Sequence, residues 1–380
     1  MFRQTPPMGW NSWNTFGGNI NEQLIKETAD AMVDTGLKDA GYEYIIIDDT
    51  WQTSARENGH LVPDRNKFPS GMKALADYIH GKGLKFGMYS SSGYLTCMGL
   101  PASCGHEFTD AADFAAWGVD YLKYDYCNRP FRIPSDLLYR RMGLALANCG
   151  RDILFAACSW GADGTPEWIR GTGASTWRST GDICDSWASI RDLGCAQSDK
   201  LLSGAINCFN DMDMLVVGMN GKGNVGVSGC TQDEYRTHFA LWAFLASPLI
   251  IGCDIRSIDS DALEILKNKA IIAVNQDPDG RLPLPLGGPA PLAFPGKNAF
   301  SMSRLMSNGD IAVGMFNMDD STDVLFQFSV YDLGLDPALG QTVAITDLYT
   351  GEEFSPVEGF VYRSVKPHCC CMLRLRVITQ

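Results

Sequence analysis

The stretch "FAAWGVDYLKYDYC", residues 114–127, carries the reading on which the fold turns. It runs as the end of a helix, a corner at Gly118 and then an apolar strand. Side chains alternate along a strand, so Tyr121, Lys123 and Asp125 fall on one face. A cation and an anion on the same buried face are a poor stability device, because desolvation offsets much of their attraction. They make better sense at the mouth of a site. There the ammonium favours the ionised carboxylate and is expected to lower the pKa of Asp125. An aspartate held ionised in that position serves as a nucleophile or an electrostatic stabiliser.

Working outward, strand-like and helix-like segments alternate for about 280 residues. Upstream lie "PPMGWNSWN" (6–14), "GYEYIIIDD" (41–49), an amphipathic helix in "SGMKALADYIHGKG" (70–83) and a strand in "LKFGMYSS" (84–91). Downstream come a helix in "PSDLLYRRMGLALANCG" (134–150), a strand in "DILFAACSW" (152–160), a short helix in "PEWIRGTG" (166–173) and strands in "ASTWRSTGD" (174–182) and "FNDMDMLVVG" (209–218). A helix in "TQDEYRTHFALWAFLA" (231–246) and a strand in "PLIIGCDI" (248–255) complete eight strand candidates. Strict alternation implies a parallel sheet with crossover helices, and eight units fit a closed (β/α)8 barrel, with an open doubly wound sheet as the alternative. In a barrel the C-terminal ends of the strands build one site. Those ends carry Trp13, Asp48, Asp49, Tyr89, Lys123, Asp125, Ser159, Trp160, Arg178, Asp182 and Asp213.

Past residue 283 the texture changes. "DGRLPLPLGGPAPLAFPGKNAF" (279–300) reads as a linker rich in Pro and Gly. Short alternating runs follow, from "FSMSRLM" (300–306) to "CCCMLRLRV" (369–377). The expected organisation is a catalytic barrel over 1–283 and an antiparallel β-sandwich over 284–380.

The net charge of -13 argues against nucleic acid or an anionic membrane as partner. The longest apolar run, "FALWAFLASPLIIGC" (239–253), is too short to span a bilayer and contains Pro248. "MFRQTPPMGW" has no basic region ahead of an apolar core, so no signal peptide and a cytoplasmic location are expected. The 13 cysteines lack CxxC pairs, which leaves a zinc ribbon or a thioredoxin-like motif without support. Cys369, Cys370 and Cys371 are adjacent, and neighbours in a strand face opposite ways, so they do not converge on one ion. No metal and no organic cofactor is expected.

Asp182, after "TWRST", is a candidate partner acid for Asp125, with Arg178 nearby; alone, "GDICDSW" (181–187) also reads as a helix N-cap. Two carboxylates with different neighbours take different protonation states, the division of labour in glycoside hydrolysis. Trp10, Trp13, Trp51 and Trp160 near strand ends suit the apolar face of a sugar. "GKGNVG" (221–226) matches G-x-G-x-x-G, but "VSGCTQDE" (227–234) intervenes before the helix, so it reads as a loop.

Together "PPMGWNSWN", "IIIDDTWQ", "KFGMYSSSGYLTCMG", "FAAWGVDYLKYDYC", "TWRSTGDICDSW", "NDMDMLVVG" and "ASPLIIGCDI" resemble glycoside hydrolase family 27, over about residues 6–277. The resemblance implies a retaining exo-glycosidase acting on α-galactosides, with Asp125 as nucleophile and Asp182 as acid/base. It implies sugar contacts from Trp13, Asp48, Asp49, Tyr89, Lys123, Arg178 and Asp213, with Cys127 and Trp160 close by, and a disulfide between Cys97 and Cys127. Two departures stand out. Thr50 replaces a cysteine of the secreted members, which points to a bacterial enzyme. Small residues at Ser159 and Ala162, where the family shapes the 2-position pocket, keep α-N-acetylgalactosaminidase open as an alternative to α-galactosidase. More distant alternatives are a β-L-arabinopyranosidase and a catalytically silent sugar-binding protein. The oligomeric state is not legible.

Overall fold

The computed structural model describes residues 3–286 and 299–379, and most of the linker segment, 287–298, lies outside the described residues. Eight short strands make the first sheet: β1 (Met8–Asn11), β2 (Tyr44–Ile46), β3 (Lys85–Ser91), β4 (Tyr121–Asp125), β5 (Leu154–Ala157), β6 (Thr176–Arg178), β7 (Phe209–Asp211) and β8 (Leu249–Ile251). They lie in the order β7-β6-β5-β4-β3-β2-β1-β8, and every pairing is parallel. The remaining gap is closed just past β7: Leu215 N–H donates to the Ile250 carbonyl at 2.7 Å and Gly252 N–H to that of Leu215 at 2.9 Å. The sheet therefore curls into the expected barrel.

The alternation that sequence periodicity demanded sorts side chains into two layers. Ile45, Ile47, Phe86, Leu122, Tyr124 and Phe155 point outward into the core shared with the helices. Tyr44, Ile46, Tyr121, Leu154, Ala156, Met214 and Ile250 fill the barrel itself. The outer helices include α3 (Gly71–Gly81), α4 (Glu107–Trp117), α5 (Ser135–Ala147) and α8 (Gln232–Phe244), with α1 (Trp13–Phe16) and α6 (Thr165–Trp168) as single turns. Four further helices were absent from the sequence reading: α2 (Glu22–Asp34), α7 (Trp187–Cys195), α9 (Ser260–Leu266) and α10 (Lys269–Asn275). The first was legible, since Asn21 accepts the Leu24 N–H as an N-cap and Leu24, Ile25, Thr28, Ala29 and Met32 form a buried stripe.

The second unit begins at β9 (Leu284–Pro285) and continues with β10 (Ala299–Leu305), β11 (Ile311–Asn317), β12 (Val324–Ser329), β13 (Gln341–Asp347), β14 (Glu353–Phe354), β15 (Phe360–Val365) and β16 (Cys370–Thr379). Six strands form an antiparallel sheet, β14-β13-β16-β11-β10-β9, and β12 and β15 pair as a second sheet. Val313, Met315, Leu373 and Leu375 from the larger sheet meet Phe326, Phe328, Val361 and Val365 from the smaller one. The opposite face of the larger sheet, with Phe300, Met302, Phe316 and Met372, packs into the barrel's outer core. Phe244 of α8 meets Phe316 at a ring distance of 6.2 Å. That covering explains why α8, opened by a capping box between Thr231 and Glu234, is buried on nearly all sides. The cysteine run divides as alternation requires: Cys370 faces the barrel, while Cys369 and Cys371 face the sandwich core.

Several strands are shorter than the runs read in the sequence, and two of them are cut short at the site. The run at 174–182 is a strand only over β6, because the Arg178 guanidinium bonds the Gly181 carbonyl at 2.7 Å and folds the following segment back. The run at 209–218 breaks at Asp213, whose φ of 82° is left-handed, before rejoining the barrel at Leu215. Both interruptions fall at residues of the candidate site.

Candidate active site

The ends of β1 to β7 and the segments just past them deliver side chains into one cavity of about 520 Å³, counted to its open mouth, lined by Trp13, Asn14, Asp48, Asp49, Tyr89, Cys97, Lys123, Asp125, Cys158, Trp160, Arg178, Asp182, Asp213, Met214 and Val225. At the end of β1, Asn11 accepts the Trp13 N–H at 2.8 Å and starts the single turn that swings Trp13 to the cavity wall. Register does the rest on the neighbouring strands. Tyr89 lies beside Lys123 and Ser91 beside Asp125, so the Tyr89 hydroxyl reaches across and donates to the Asp125 carboxylate at 3.0 Å.

Lys123 does not pair with Asp125 as its spacing implied. Its ammonium lies 2.8 Å from Asp48, which also accepts from Asn11 Nδ2 at 2.7 Å. Burial works against the charge on Lys123, but Asp48, Cys158 and Asp125 together more than offset it, so its pKa stands well above the ordinary lysine value. Asp125, 5% exposed, accepts from Tyr89 and from the Tyr126 N–H at 2.8 Å. Its pKa is raised rather than lowered: burial dominates, and Lys123 offsets only part of the effect. Asp49 is also raised, mainly by burial, against bonds from Thr96, Met98 and Thr50.

A second cluster forms the outer wall. Arg178 reaches Asp213 at 2.9 Å with one terminal nitrogen and Asp182 at 2.8 Å with the other. Burial disfavours its charge, but Asp213, Cys158 and Asp182 together raise its pKa further. Asp182 has 76% of its side chain exposed. It is not a helix cap, for α7 is capped by Ser186. The left-handed turn at Asp213 aims that carboxylate at Arg178 and lets it accept the Ile183 N–H at 2.8 Å, which fixes the loop carrying Asp182.

Cys97 and Cys127 form a disulfide with a Cα separation of 5.1 Å, joining the loops after β3 and β4. A side chain at Gly93 would place its Cβ 2.0 Å from the Cys127 carbonyl oxygen, so glycine is required for this approach. Cys97 lines the cavity; Cys127, expected near the sugar, does not. These two sulfurs and Asp125 are close enough to hold an ion, but both sulfurs are committed to the disulfide.

Ser159, assigned by sequence to the substrate, is also misplaced by that reading. It is fully buried, exchanges a hydrogen bond with Thr165 at 2.8 Å and does not line the cavity. Its neighbours in the chain, Cys158 and Trp160, occupy the wall instead. Ala162 likewise packs against the outer core. "GKGNVG" is a loop, as expected: Gly221 N–H bonds Asp185 at 2.7 Å, and Val225 reaches the cavity wall.

Sequence reasoning missed Cys158 and Asp211. Asp211 ends β7 beneath the site, beside a smaller cavity shared with Lys123, Arg178 and Asp213. Burial pushes its carboxyl up to about 6 against the pull of Arg178. The signal was present: a carboxylate at 211, two before Asp213, at a strand end.

One buried and one exposed carboxylate at the C-terminal mouth of a (β/α)8 barrel define a glycosidase-type site. Comparison with known proteins carries this to a family. Residues 5–277 match the family model described as alpha galactosidase A, and residues 301–375 match the alpha galactosidase C-terminal beta sandwich domain. An α-galactosidase of Cyamopsis tetragonoloba is 43% identical over 377 residues, covering 97% of this chain and 85% of its own length. Among solved structures, α-galactosidase I of Mortierella vinacea superposes with a TM-score of 0.86 at 35% identity, over 98% of this chain and 97% of its own. The α-galactosidase of Saccharomyces cerevisiae solved with raffinose gives 0.85 at 29% identity, over 99% and 98%. The chain belongs to the α-galactosidase family.

Proposed function

We propose that the chain removes terminal α-linked galactose with retention of configuration, through a covalent glycosyl-enzyme formed on Asp125. The observation that carries this reading is the placement of the two carboxylates. Asp125 is deep in the cavity and oriented by Tyr89 and the Tyr126 N–H, as an attacking group must be. Asp182 is at the exposed rim, where the leaving group departs and solvent enters. In the first step Asp125 attacks the anomeric carbon while Asp182 protonates the leaving oxygen. In the second, Asp182 takes a proton from water, which attacks the same carbon and releases Asp125.

Asp48 and Asp49 close the inner end and are assigned to the 4- and 6-hydroxyls, with Lys123 shared between Asp48 and the sugar. Trp13, Tyr89, Cys158, Arg178 and Asp213 complete the inner walls around a single residue, with Trp160 at the outer rim, which suits exo cleavage. The reading of a pocket enlarged at the 2-position by Ser159 and Ala162 loses its support, since neither side chain lines the cavity. The test is kcat/KM on nitrophenyl α-galactoside against the α-N-acetylgalactosaminide and the β-L-arabinopyranoside. The galactoside is expected to be preferred, and a tenfold preference for either alternative overturns the assignment.

A further inference from the structure

The segment Trp160–Gly164 is unusual in its backbone. Trp160, Gly161, Asp163 and Gly164 all have left-handed φ, at 58°, 73°, 51° and 66°. The glycines adopt this freely, but for a bulky residue such as tryptophan it is unfavourable and persists only where the surroundings impose it. One restraint is visible at Gly161, whose N–H donates to the Arg178 carbonyl at 2.8 Å. The other converges on Asp163. Its Oδ2 accepts from Ser135 Oγ at 2.7 Å, from Arg129 at 2.9 Å and from the Tyr126 hydroxyl. Tyr126 and Arg129 lie in the segment that follows β4, and Ser135 opens α5. Tyr126 in turn meets the Trp160 indole edge-on, with ring centroids 5.9 Å apart at 80°, and carries the Arg129 guanidinium 4.4 Å over its face.

We infer that Asp163 is a positioning residue for the aglycone: by fixing Tyr126 it holds the indole of Trp160 at the cavity mouth as the surface on which the leaving sugar packs. The inference rests on the α-galactosidase reading and adds the side of the cavity that selects the aglycone. Trp160 is 38% exposed while lining the cavity, so part of its ring remains open to a ligand. It shares the wall with Asp182, the group placed toward the departing oxygen. An aglycone in contact there presents a neutral, ring-shaped surface with axial C–H groups, the chemistry of a hexose. Asp163 itself does not line the cavity and touches no reacting atom.

The experiment compares raffinose with methyl α-galactoside, whose aglycone is too small to reach Trp160. Asp163→Ala is expected to raise KM for raffinose about five- to tenfold, with kcat and the KM for the methyl glycoside within about twofold. Asp163→Asn keeps an acceptor for Tyr126 and Ser135 and is expected to restore the raffinose KM to within about twofold of wild type. In a Trp160→Ala background, Asp163→Ala should have no further effect on the raffinose KM. Equal losses on both substrates, a fall in kcat alone, or additive effects with Trp160→Ala overturn the inference. Should Asp163→Ala not fold, Arg129→Ala reads the same latch, with an expected rise of about two- to threefold confined to raffinose; no rise overturns it. A wild-type chain inactive on both substrates overturns the α-galactosidase reading itself, before any variant is compared.

Discussion

The mouth of the barrel and the seam between barrel and sandwich each bury an arginine, and they treat it in opposite ways. Arg178, 3% exposed, is met by two carboxylates and the Gly181 carbonyl. Arg304, 1% exposed, reaches the Phe244 carbonyl at 3.5 Å from a position on β10 opposite Ala312. At the mouth, burial of charge is met by convergent partners, an arrangement costly for stability and useful for binding polar groups. In the seam, cohesion comes from apolar area, and polar contacts lie at the edge, where His368 bonds Glu234 at 2.7 Å and Asp320 at 3.0 Å and stacks on Trp187. Changes at the mouth should therefore read out in rate, with stability moving as well wherever a buried charge is removed or loses its partner, and changes in the seam should read out in stability alone.

The largest effect is expected from Asp125→Ala, a loss of about 10⁴-fold or more in kcat, the scale seen when a nucleophile is removed. Azide should restore part of the rate by entering the vacated position, and a rate within tenfold of wild type without it refutes the assignment. The pH profile sharpens the point. Attack requires the carboxylate, and burial raises the Asp125 pKa, so kcat/KM should fall on the acid side above the usual aspartate range. Next is Asp182→Ala. General acid catalysis contributes about 10²–10⁴-fold, and natural galactosides should lose that much, while nitrophenyl galactosides, which need little protonation, lose less. Equal losses on both classes sink the acid role.

An intermediate effect tests the same contrast through stability. Asp211 has its pKa raised to about 6 from an ordinary 3.8, mainly by burial. The folded chain therefore holds this proton more tightly than the unfolded chain. Below the ordinary value both states are protonated and there is no penalty. Between the two values the penalty for ionising the buried group grows, and above about 6 it is complete, on the order of 3 kcal/mol. Asp211→Asn keeps an acceptor for the Asp213 N–H and should raise Tm at pH 7–8, with the gain vanishing near pH 4. An equal gain at both pH values, or a loss at pH 7, contradicts the argument.

The barrel was legible because its strands and helices repeat with clean periods and because polar residues recur at strand ends. The site was legible where a strand dictates direction, as at Tyr89, Lys123 and Asp125. Pairing was less so. Spacing placed Lys123 beside Asp125, but a (β/α)8 barrel brings Asp48, just past β2, closer to its ammonium than the neighbour on its own strand. Loop residues were the least legible. Left-handed turns at Trp160 and Gly161 exchange which side chains face the cavity, so Cys158 and Trp160 line it while Ser159 turns into the wall. Positive φ at a tryptophan leaves no mark in composition or periodicity. The break at Asp213 was hidden in the same way by an apolar run that continues through it.

The smallest expected effect lies in the seam. Burial lowers the pKa of Arg304, with Asp277 opposing, so its charge is held at a cost that the Asp277 carboxylate repays only in part. Replacing a buried ion by an apolar side chain of similar length is often neutral or stabilising, because the desolvation penalty disappears with the charge. Methionine suits the position: it is unbranched, adapts to irregular space and would lie beside the apolar core that holds Phe244 and Ala312. Arg304→Met should leave kcat and KM unchanged, since the residue is remote from the cavity lining, and should raise stability by about 1 kcal/mol. For a chain of this size that corresponds to roughly one to three degrees in Tm. Thermal unfolding at pH 7 with parallel assays on raffinose decides it. A fall in Tm of several degrees would mean that the guanidinium holds the seam through partners that outweigh its desolvation, and the seam would then resemble the mouth. The matching change there, Arg178→Met, gives the control: it strands Asp213 without its cation and should lower stability and activity together.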